Sequence, residues 1–104
     1  MVRIGVLDDY QQVWQQYADW SVLDGRVEVT SFADHLFDED ALAARLAPFE
    51  VVVAMRERTP FPASLIDRLP SLECVITTGP FNAVIDIDHA AAKGITVCGT
   101  GGAL

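Results

Sequence analysis

Short apolar runs alternate along this chain with segments that carry apolar residues every three or four positions. Apolar runs of roughly 4–8 residues rich in β-branched side chains are typical of buried strands, and the longer spacing is typical of helices with one buried face. Glycine, proline and aspartate separate the two kinds of segment. The pattern predicts strands at residues 2–7, 27–32, 51–55, 72–77 and 95–98. It predicts a helix after each of the first four, beginning with residues 11–20.

Capping signals indicate where the later helices begin and end. An aspartate can accept hydrogen bonds from the first free N–H groups of a helix, a proline fits the first turn, and a glycine closes the last turn. Asp38 would cap the second predicted helix, and Pro48 would end it. Pro62 fits the first turn of the third helix. Asp86 or Asp88 would cap a short fourth helix, which Gly94 would end. The residues expected to face inward are Leu42, Leu46, Leu65, Ile66 and Leu69.

Strict alternation of strands and helices predicts an α/β fold with a parallel sheet and right-handed crossovers. Five strands with four helices fit a flavodoxin-like doubly wound sheet of strand order 2-1-3-4-5. Ligands bind outside the carboxyl ends of the strands in such sheets. The segments that strands 1, 3, 4 and 5 bring to that edge are Asp8 with Asp9, residues 56–58, residues 77–82 and residues 99–102.

Length and composition limit the classes of protein to consider. The 104 residues suit one domain, and 51% of them are hydrophobic, which is enough for a core. A net charge of −8 should repel nucleic acid and anionic membranes. No apolar run approaches the roughly 20 residues of a membrane span, and the chain begins on a strand pattern without the organisation of a signal peptide. We therefore expect a cytoplasmic protein with neither nucleic acid nor membrane as partner.

The two cysteines and two histidines indicate neither a disulfide nor a metal site. Cys74 and Cys98 lie inside apolar strand patterns, so we expect reduced core thiols. His35 and His89 are far apart, and neither pairs with a cysteine at a zinc-like spacing. We expect no metal.

Charge appears abruptly after the third predicted strand. Arg56, Glu57 and Arg58 come where this strand leaves the sheet, followed by Pro60. Arginine has the shape to bind a carboxylate or phosphate with two hydrogen bonds, so the loop could hold an anion. The alternative is a solvated loop in which Glu57 is an internal counter-ion.

Two other functions of this edge fit the residues poorly. A response-regulator receiver would need an aspartate after strand 3, where Arg56 stands, and a lysine after strand 5, which is absent. A dinucleotide-binding loop G-x-G-x-x-G would need a third glycine where Leu104 stands. The glycines at residues 99–102 are better interpreted as the start of a connection.

The chain resembles a known family, the D-isomer-specific 2-hydroxyacid dehydrogenases, and most of all their D-3-phosphoglycerate dehydrogenase group. Four segments in the same order carry the resemblance: Arg3-Ile4-Gly5-Val6-Leu7-Asp8-Asp9-Tyr10; Met55-Arg56-Glu57-Arg58-Thr59; Thr77-Thr78-Gly79 with Asn82-Ala83-Val84-Ile85-Asp86; and Ala92-Lys93-Gly94-Ile95-Thr96-Val97 leading into Cys98-Gly99-Thr100-Gly101. The resemblance implies that residues 1–98 are the N-terminal segment of the substrate-binding (catalytic) domain. Residues 99–104 would begin the crossover to an NAD-binding Rossmann domain that is not in this chain.

The resemblance also implies a set of site residues. Arg56 matches the family's arginine that reaches the substrate's anionic groups, and Gly79, Pro80 and Phe81 match the loop that holds its carboxylate. Pro80 and Phe81 depart from the family pattern, because proline has no N–H to donate and phenylalanine carries no charge. The family's acid–base residues and dinucleotide fingerprint match nothing here. No residue is therefore assigned a catalytic, cofactor-binding or metal-binding role.

The implied function is substrate binding in an NAD-dependent oxidoreductase that acts on the CH–OH group of a 2-hydroxy acid, with NADP left open as the cofactor. The partners would be a small anionic 2-hydroxy or 2-keto acid, the Rossmann domain and further copies of the chain in a homo-oligomer, such as a dimer. This segment alone is expected to be inactive. The alternative is a stand-alone, non-catalytic flavodoxin-like module that self-associates or binds a partner.

Overall fold

The computed structural model of the chain describes residues 2–8, 27–54, 59–77 and 84–99. Its strands are β1 (Val2–Val6), β2 (Val27–Ser31), β3 (Val51–Ala54), β4 (Cys74–Thr77) and β5 (Thr96–Gly99). Its helices are α1 (Glu39–Leu46), α2 (Ala63–Ile66) and α3 (Ile87–Ala92). The helix predicted at residues 11–20 lies outside the described residues.

The five described strands form one parallel sheet in the order β2-β1-β3-β4-β5. This confirms the predicted α/β fold and strand order. β3 lies between β1 and β4, and only Val51 of its residues is not fully buried. A strand covered on both faces needs apolar residues at every position, which explains the continuous Val-Val-Val-Ala run.

Two predicted strands begin later than their apolar runs because helix-terminal turns use the first residues. The backbone N–H of Leu72 donates to the carbonyl of Leu69 at 3.2 Å, so Leu72 belongs to the turn after α2. The N–H of Ile95 donates to the carbonyl of Ala90 at 2.9 Å, at the end of α3. Both side chains are buried, so the apolar pattern correctly predicted that these residues are in the core. It wrongly predicted that they belong to strands.

The larger core lies between one face of the sheet and the helices. Alternate residues of the strands point to this face, among them Val52, Ala54 and Val75. The predicted inward positions are all buried: Leu42, Leu46, Leu65, Ile66 and Leu69. A smaller buried cluster of Ile4, Val6 and Val53 lies on the opposite face.

Aspartate side chains cap the N-terminal ends of α1 and α3. The side chain of Asp38 accepts from the N–H groups of Asp40 and Ala41, and that of Asp86 accepts from His89 N–H at 3.0 Å. Asp86, not Asp88, is therefore the cap. Gly94 follows α3 with φ +78°, which favours glycine. Pro62 is the N-cap of α2, one residue before the predicted first-turn position.

Surface charges connect the three helices. Arg68 Nη1 lies 2.6 Å from Asp40 Oδ1 of α1 and 3.4 Å from Glu39 Oε2. Asp67 Oδ1 lies 2.8 Å from His89 Nε2 of α3 and 3.0 Å from Lys93 Nζ. His89 and then Lys93 hold the pKa of the Asp67 carboxyl below its ordinary value. These pairs link the turn after α2 to α1 on one side and to the end of α3 on the other.

The expectation of two core thiols is wrong for Cys98. Both cysteines are free, but Cys74 is half-buried and Cys98 is exposed. Among the described strands β5 is at the edge and pairs only with β4, so an apolar pattern there does not guarantee burial. Burial, and secondarily the nearby Cys98, raises the pKa of the Cys74 thiol.

Candidate functional site at the carboxyl edge of the sheet

The carboxyl ends of the parallel strands and the first turns of the helices meet at one edge of the sheet. Asp8 follows β1, residues 32–38 join β2 to α1, and residues 59–62 lead into α2. The last residues of β3 and β4, Ala54 and Thr77, are paired across the ladder. The carboxyl ends of β3 and β4 are therefore neighbours at this edge.

Asp8 is the central polar group of this edge. Its side chain is buried, and its backbone has φ +55°, in the left-handed region that aspartate tolerates better than most residues. The preceding residue, Leu7, still donates its N–H to the carbonyl of Val53 at 2.9 Å. The backbone therefore departs from the extended conformation at Asp8, one residue after this hydrogen bond to β3.

Two side chains from the neighbouring loops bind the Asp8 carboxylate. His35 Nδ1 lies 2.8 Å from Asp8 Oδ1, and the Thr59 hydroxyl donates to Asp8 Oδ2. Thr59 Oγ1 also lies 3.4 Å from His35 Nδ1. When Asp8 is a carboxylate, which can only accept hydrogen bonds, the donor of this pair is an N–H at His35 Nδ1. We refer to Asp8, His35 and Thr59 as the carboxylate network.

Arg45 of α1 holds the loop that carries His35 against this helix. Arg45 of α1 forms two hydrogen bonds of 3.0 Å to the carboxylate of Asp34. Its guanidinium lies 4.5 Å from the ring centroid of Phe32. The Arg45 hydrogen bonds hold the pKa of the Asp34 carboxyl below its ordinary value. His35 therefore reaches Asp8 from a loop that is fixed at the adjacent residue.

An apolar pocket of about 360 Å³ opens beside His35. It lies between the loop after β2 and the start of α2, and its lining residues are His35, Leu36, Phe37, Glu39, Leu42, Pro60, Pro62 and Leu65. This volume is at the small end of the ~300–1,000 Å³ usual for ligand pockets. The Phe37 ring is 93% exposed and stands edge-on to the His35 ring, with 4.5 Å between centroids. The pocket can accommodate a small, largely apolar group.

Backbone hydrogen bonds join the residues just before α2 to the residues just before α3. Phe61 N–H donates to the carbonyl of Val84 at 2.8 Å, and Asp86 N–H donates to the carbonyl of Phe61 at 2.9 Å. Phe61 and Ile85 form an isolated parallel bridge, and both side chains are buried. The segments that follow the two predicted substrate loops are thus tied together.

The predicted substrate-binding residues, Arg56, Gly79, Pro80 and Phe81, lie outside the described residues. The structure describes what flanks them: Ala54 and Thr59 around Arg56, and Thr77 and Val84 around the other three. Their roles remain predictions.

Sequence interpretation missed the carboxylate network and the pocket. The grouping of strands 1, 3, 4 and 5 left out β2, yet β2 pairs with β1 and brings His35 to Asp8. The available signal was a set of polar residues, Asp8, His35 and Thr59, each shortly after one of three adjacent strands. Among the described residues no cluster of histidine, cysteine, aspartate or glutamate could hold a metal ion, and no helix could cross a membrane.

Comparison with known proteins identifies the family. Residues 5–104 match the family described as D-isomer specific 2-hydroxyacid dehydrogenase, catalytic domain. The chain belongs to this family. The matched residues include the described carboxyl edge of the sheet, and the match confirms the family that the four sequence segments resemble. A search of curated proteins found no match.

Solved structures of the same fold are about three times longer than this chain. A phosphoglycerate oxidoreductase from Vibrio cholerae is 39% identical, with a TM-score of 0.88, over 99% of this chain and 32% of its own. A candidate D-3-phosphoglycerate dehydrogenase oxidoreductase from Ralstonia solanacearum is 34% identical, with a TM-score of 0.88, over 99% of this chain and 31% of its own.

A more distant structure shares the fold. A D-lactate dehydrogenase from Aquifex aeolicus, complexed with NAD and lactic acid, is 17% identical, with a TM-score of 0.66, over 93% of this chain and 27% of its own.

Proposed function

We propose that the chain is the substrate-binding segment of an NAD-dependent oxidoreductase that acts on a 2-hydroxy acid, with phosphoglycerate dehydrogenase-like specificity. The observation that carries the proposal is the family match over residues 5–104, which includes every segment at the carboxyl edge of the sheet. Residues 1–98 form the substrate-binding domain segment, and residues 99–104 begin the connection to the NAD-binding domain. The complete enzyme works in the cytoplasm as a homo-oligomer.

In this proposal the substrate is a small anionic 2-hydroxy or 2-keto acid held at the carboxyl edge. Arg56 binds its anionic groups, and residues 79–81 contact its carboxylate. The proposal is supported by the pairing of Ala54 with Thr77 at the ends of β3 and β4 and by the bridge between Phe61 and Ile85. Because Pro80 has no N–H, the carboxylate relies more strongly on Arg56 than on backbone donors.

The pocket beside His35 lacks the features that hold the pyrophosphate of a dinucleotide. The pocket beside His35 is apolar and small, and its lining offers neither a cationic nor a glycine-rich surface for a pyrophosphate. In this proposal the second domain holds the nicotinamide cofactor, NAD or NADP, which supplies or accepts the hydride. The part of this segment in the reaction is to bind and orient the acid.

Absorbance assays of NADH and NADPH oxidation test the proposal. The protein that carries this segment together with a dinucleotide-binding domain should oxidise NADH or NADPH with at least one of hydroxypyruvate, glyoxylate and 2-oxoglutarate. The 104-residue chain should show no turnover above a boiled control, and millimolar NAD should not raise its melting temperature. Turnover by the 104-residue chain alone would contradict the proposal that this segment binds the substrate and a second domain binds the cofactor. A longer protein inactive with every 2-keto acid would overturn the proposed function.

A further inference from the structure

Two thiols on adjacent strands point to the same face of the sheet. In the ladder between β4 and β5, Cys74 pairs with Thr96 and Ile76 pairs with Cys98. Side chains alternate between the two faces along a strand, so residues that are two positions apart share a face. Cys98 is therefore the diagonal neighbour of Cys74 on one face. This is the face of the smaller buried cluster, because Ile76 packs against that cluster.

The two thiols interact, and their surroundings differ. Both are free, Cys74 is half-buried and Cys98 is exposed. Burial raises the pKa of the Cys74 thiol, and Cys98 raises it further through its charge and a side-chain hydrogen bond. The thiolate is the form of cysteine that attacks an oxidant. We therefore expect the solvent-accessible Cys98 to react first, while Cys74 stays a protonated thiol beside it.

We propose that Cys74 and Cys98 form an oxidation site for peroxides, in which Cys98 is the reacting thiol and Cys74 the resolving thiol. The Cys98 thiolate attacks one peroxide oxygen, the O–O bond breaks, and hydroxide leaves, so that Cys98 becomes a sulfenic acid. The Cys74 sulfur then attacks the Cys98 sulfur. The S–O bond breaks, and the hydroxide that leaves combines with the Cys74 proton as water. The two thiols lose two electrons, which the peroxide gains. This inference does not depend on the proposed function.

The diagonal placement predicts a disulfide that is easily reduced. With strands about 4.8 Å apart and a rise of about 3.3 Å per residue, diagonal Cα atoms are roughly 8 Å apart. Disulfides usually join Cα atoms about 4.4–6.8 Å apart, so β5 must move by about 1–2 Å for the bond to form. β5 pairs with β4 alone among the described strands, which leaves it room to move. The resulting strain favours reduction, so millimolar reduced glutathione should reverse the bond.

Peptide mapping of the protein that carries this segment tests the proposal. Trypsin cleaves after Arg68 and Lys93, which places Cys74 in peptide 69–93 and Cys98 in the peptide that begins at Gly94. After a small molar excess of hydrogen peroxide and blocking of the remaining thiols, a non-reducing digest should contain these two peptides linked. Reduced glutathione added before the block should remove the link. Without peroxide, iodoacetamide should alkylate Cys98 at least about fivefold faster than Cys74.

Two matched serine variants test the assigned order of reaction. In Cys74→Ser the sulfenic acid on Cys98 has no resolving thiol, so its adduct with dimedone should increase by about fivefold or more over the wild type. In Cys98→Ser the same peroxide treatment should give no dimedone adduct on Cys74 above the untreated level. The alkylation rates of the wild type provide the same order without any substitution.

Three results would overturn the proposal. The first is an oxidised wild type in which Cys98 carries a sulfenic acid or a glutathione but is not linked to peptide 69–93. The second is a Cys98→Ser variant in which Cys74 forms the dimedone adduct as readily as Cys98 does in Cys74→Ser. The third is a link that millimolar reduced glutathione does not remove, which would contradict the strain expected of the diagonal pair.

Discussion

Gly5 lies in β1 directly beneath the ring of Phe49. A Cβ atom at Gly5 would lie 3.2 Å from Phe49 Cγ, closer than ordinary van der Waals contact. The ring cannot easily move away, since Phe32 packs edge-on against it at 5.8 Å between centroids and the Arg3 guanidinium lies 5.7 Å from its centroid. At this position glycine is required by packing and not by backbone conformation.

We therefore expect Gly5→Ala to destabilise the protein. Overpacking costs about 1–3 kcal/mol, and the lower entropy of the unfolded chain returns about 0.4–1 kcal/mol, which leaves a net loss of roughly 1 kcal/mol. Urea unfolding measures the loss. In a Phe49→Leu background the same change should cost distinctly less, because the ring is gone. An equal cost in both backgrounds would show that the ring is not the cause.

At the residue scale, sequence reasoning identified buried apolar positions better than polar contacts. Leu42, Leu46 and Leu65 follow from helical spacing, because burial of a periodic stripe needs no knowledge of the partner. The contacts of Asp8 depend on which strands flank β1. The exposure of Cys98 depends on β5 being at the edge of the sheet. Neither property is present in the local sequence.

Helix α1 illustrates how local signals determine an element. Asp38 caps its first turn with accepted hydrogen bonds of 3.4 and 3.3 Å, and Glu39 and Asp40 add negative charge near the same end. Since the loop before this cap carries His35, the start of α1 also fixes one wall of the pocket.

Asp38→Ala should lower the free energy of unfolding by about 0.5–1 kcal/mol, at the weaker end of N-cap effects because the hydrogen bonds are long. Asp38→Ser should cost only a few tenths, since serine is also a good cap. Thermal or urea unfolding of the two variants makes the comparison. Equal losses for alanine and serine would show that the side-chain oxygen of residue 38 does not stabilise the helix.

Element order was predictable, and element boundaries were less so. Apolar runs predicted the described strands and helical stripes predicted α1 and α2, because burial follows these periods. Capping residues predicted α3. The starts of β4 and β5 were missed because the turns after α2 and α3 take the first apolar residues of each run. Such turns are set by backbone hydrogen bonds, which side-chain pattern does not show.

For the whole molecule, alternation of strands and helices predicted a parallel sheet, and the fit to a flavodoxin-like fold supplied the strand order. The location of the candidate site followed from that order, because ligands bind at the carboxyl edge of such sheets. The roles of Arg56 and Gly79 came from resemblance to a family and remain predictions. The network around Asp8 required the positions of three loops in space, and only the structure supplies these.

The 104-residue chain by itself should self-associate. Three large hydrophobic side chains among the described residues are exposed, Phe37 by 93%, Ile87 by 48% and Val2 by 37%. The charge of −8 opposes association, but salt screens it within about 8 Å at physiological ionic strength. Sedimentation equilibrium at micromolar concentration should show a dimer or larger species, and Phe37→Ser should shift it toward monomer. A single monomer mass across a tenfold dilution would contradict this prediction.

The central claim is that this chain holds the anionic substrate of a 2-hydroxyacid dehydrogenase at the carboxyl edge of its sheet, through Arg56. The most direct test is the KM for the 2-keto acid of the complete enzyme with Arg56→Ala. Arg68→Ala is the charge-matched control, because Arg68 pairs with Asp40 and Glu39 on the helix surface. A charge-assisted contact contributes about 1.5–3 kcal/mol, so Arg56→Ala should raise KM by roughly 10–150-fold. Arg68→Ala should leave KM unchanged, and equal, wild-type KM values in both variants would contradict the account.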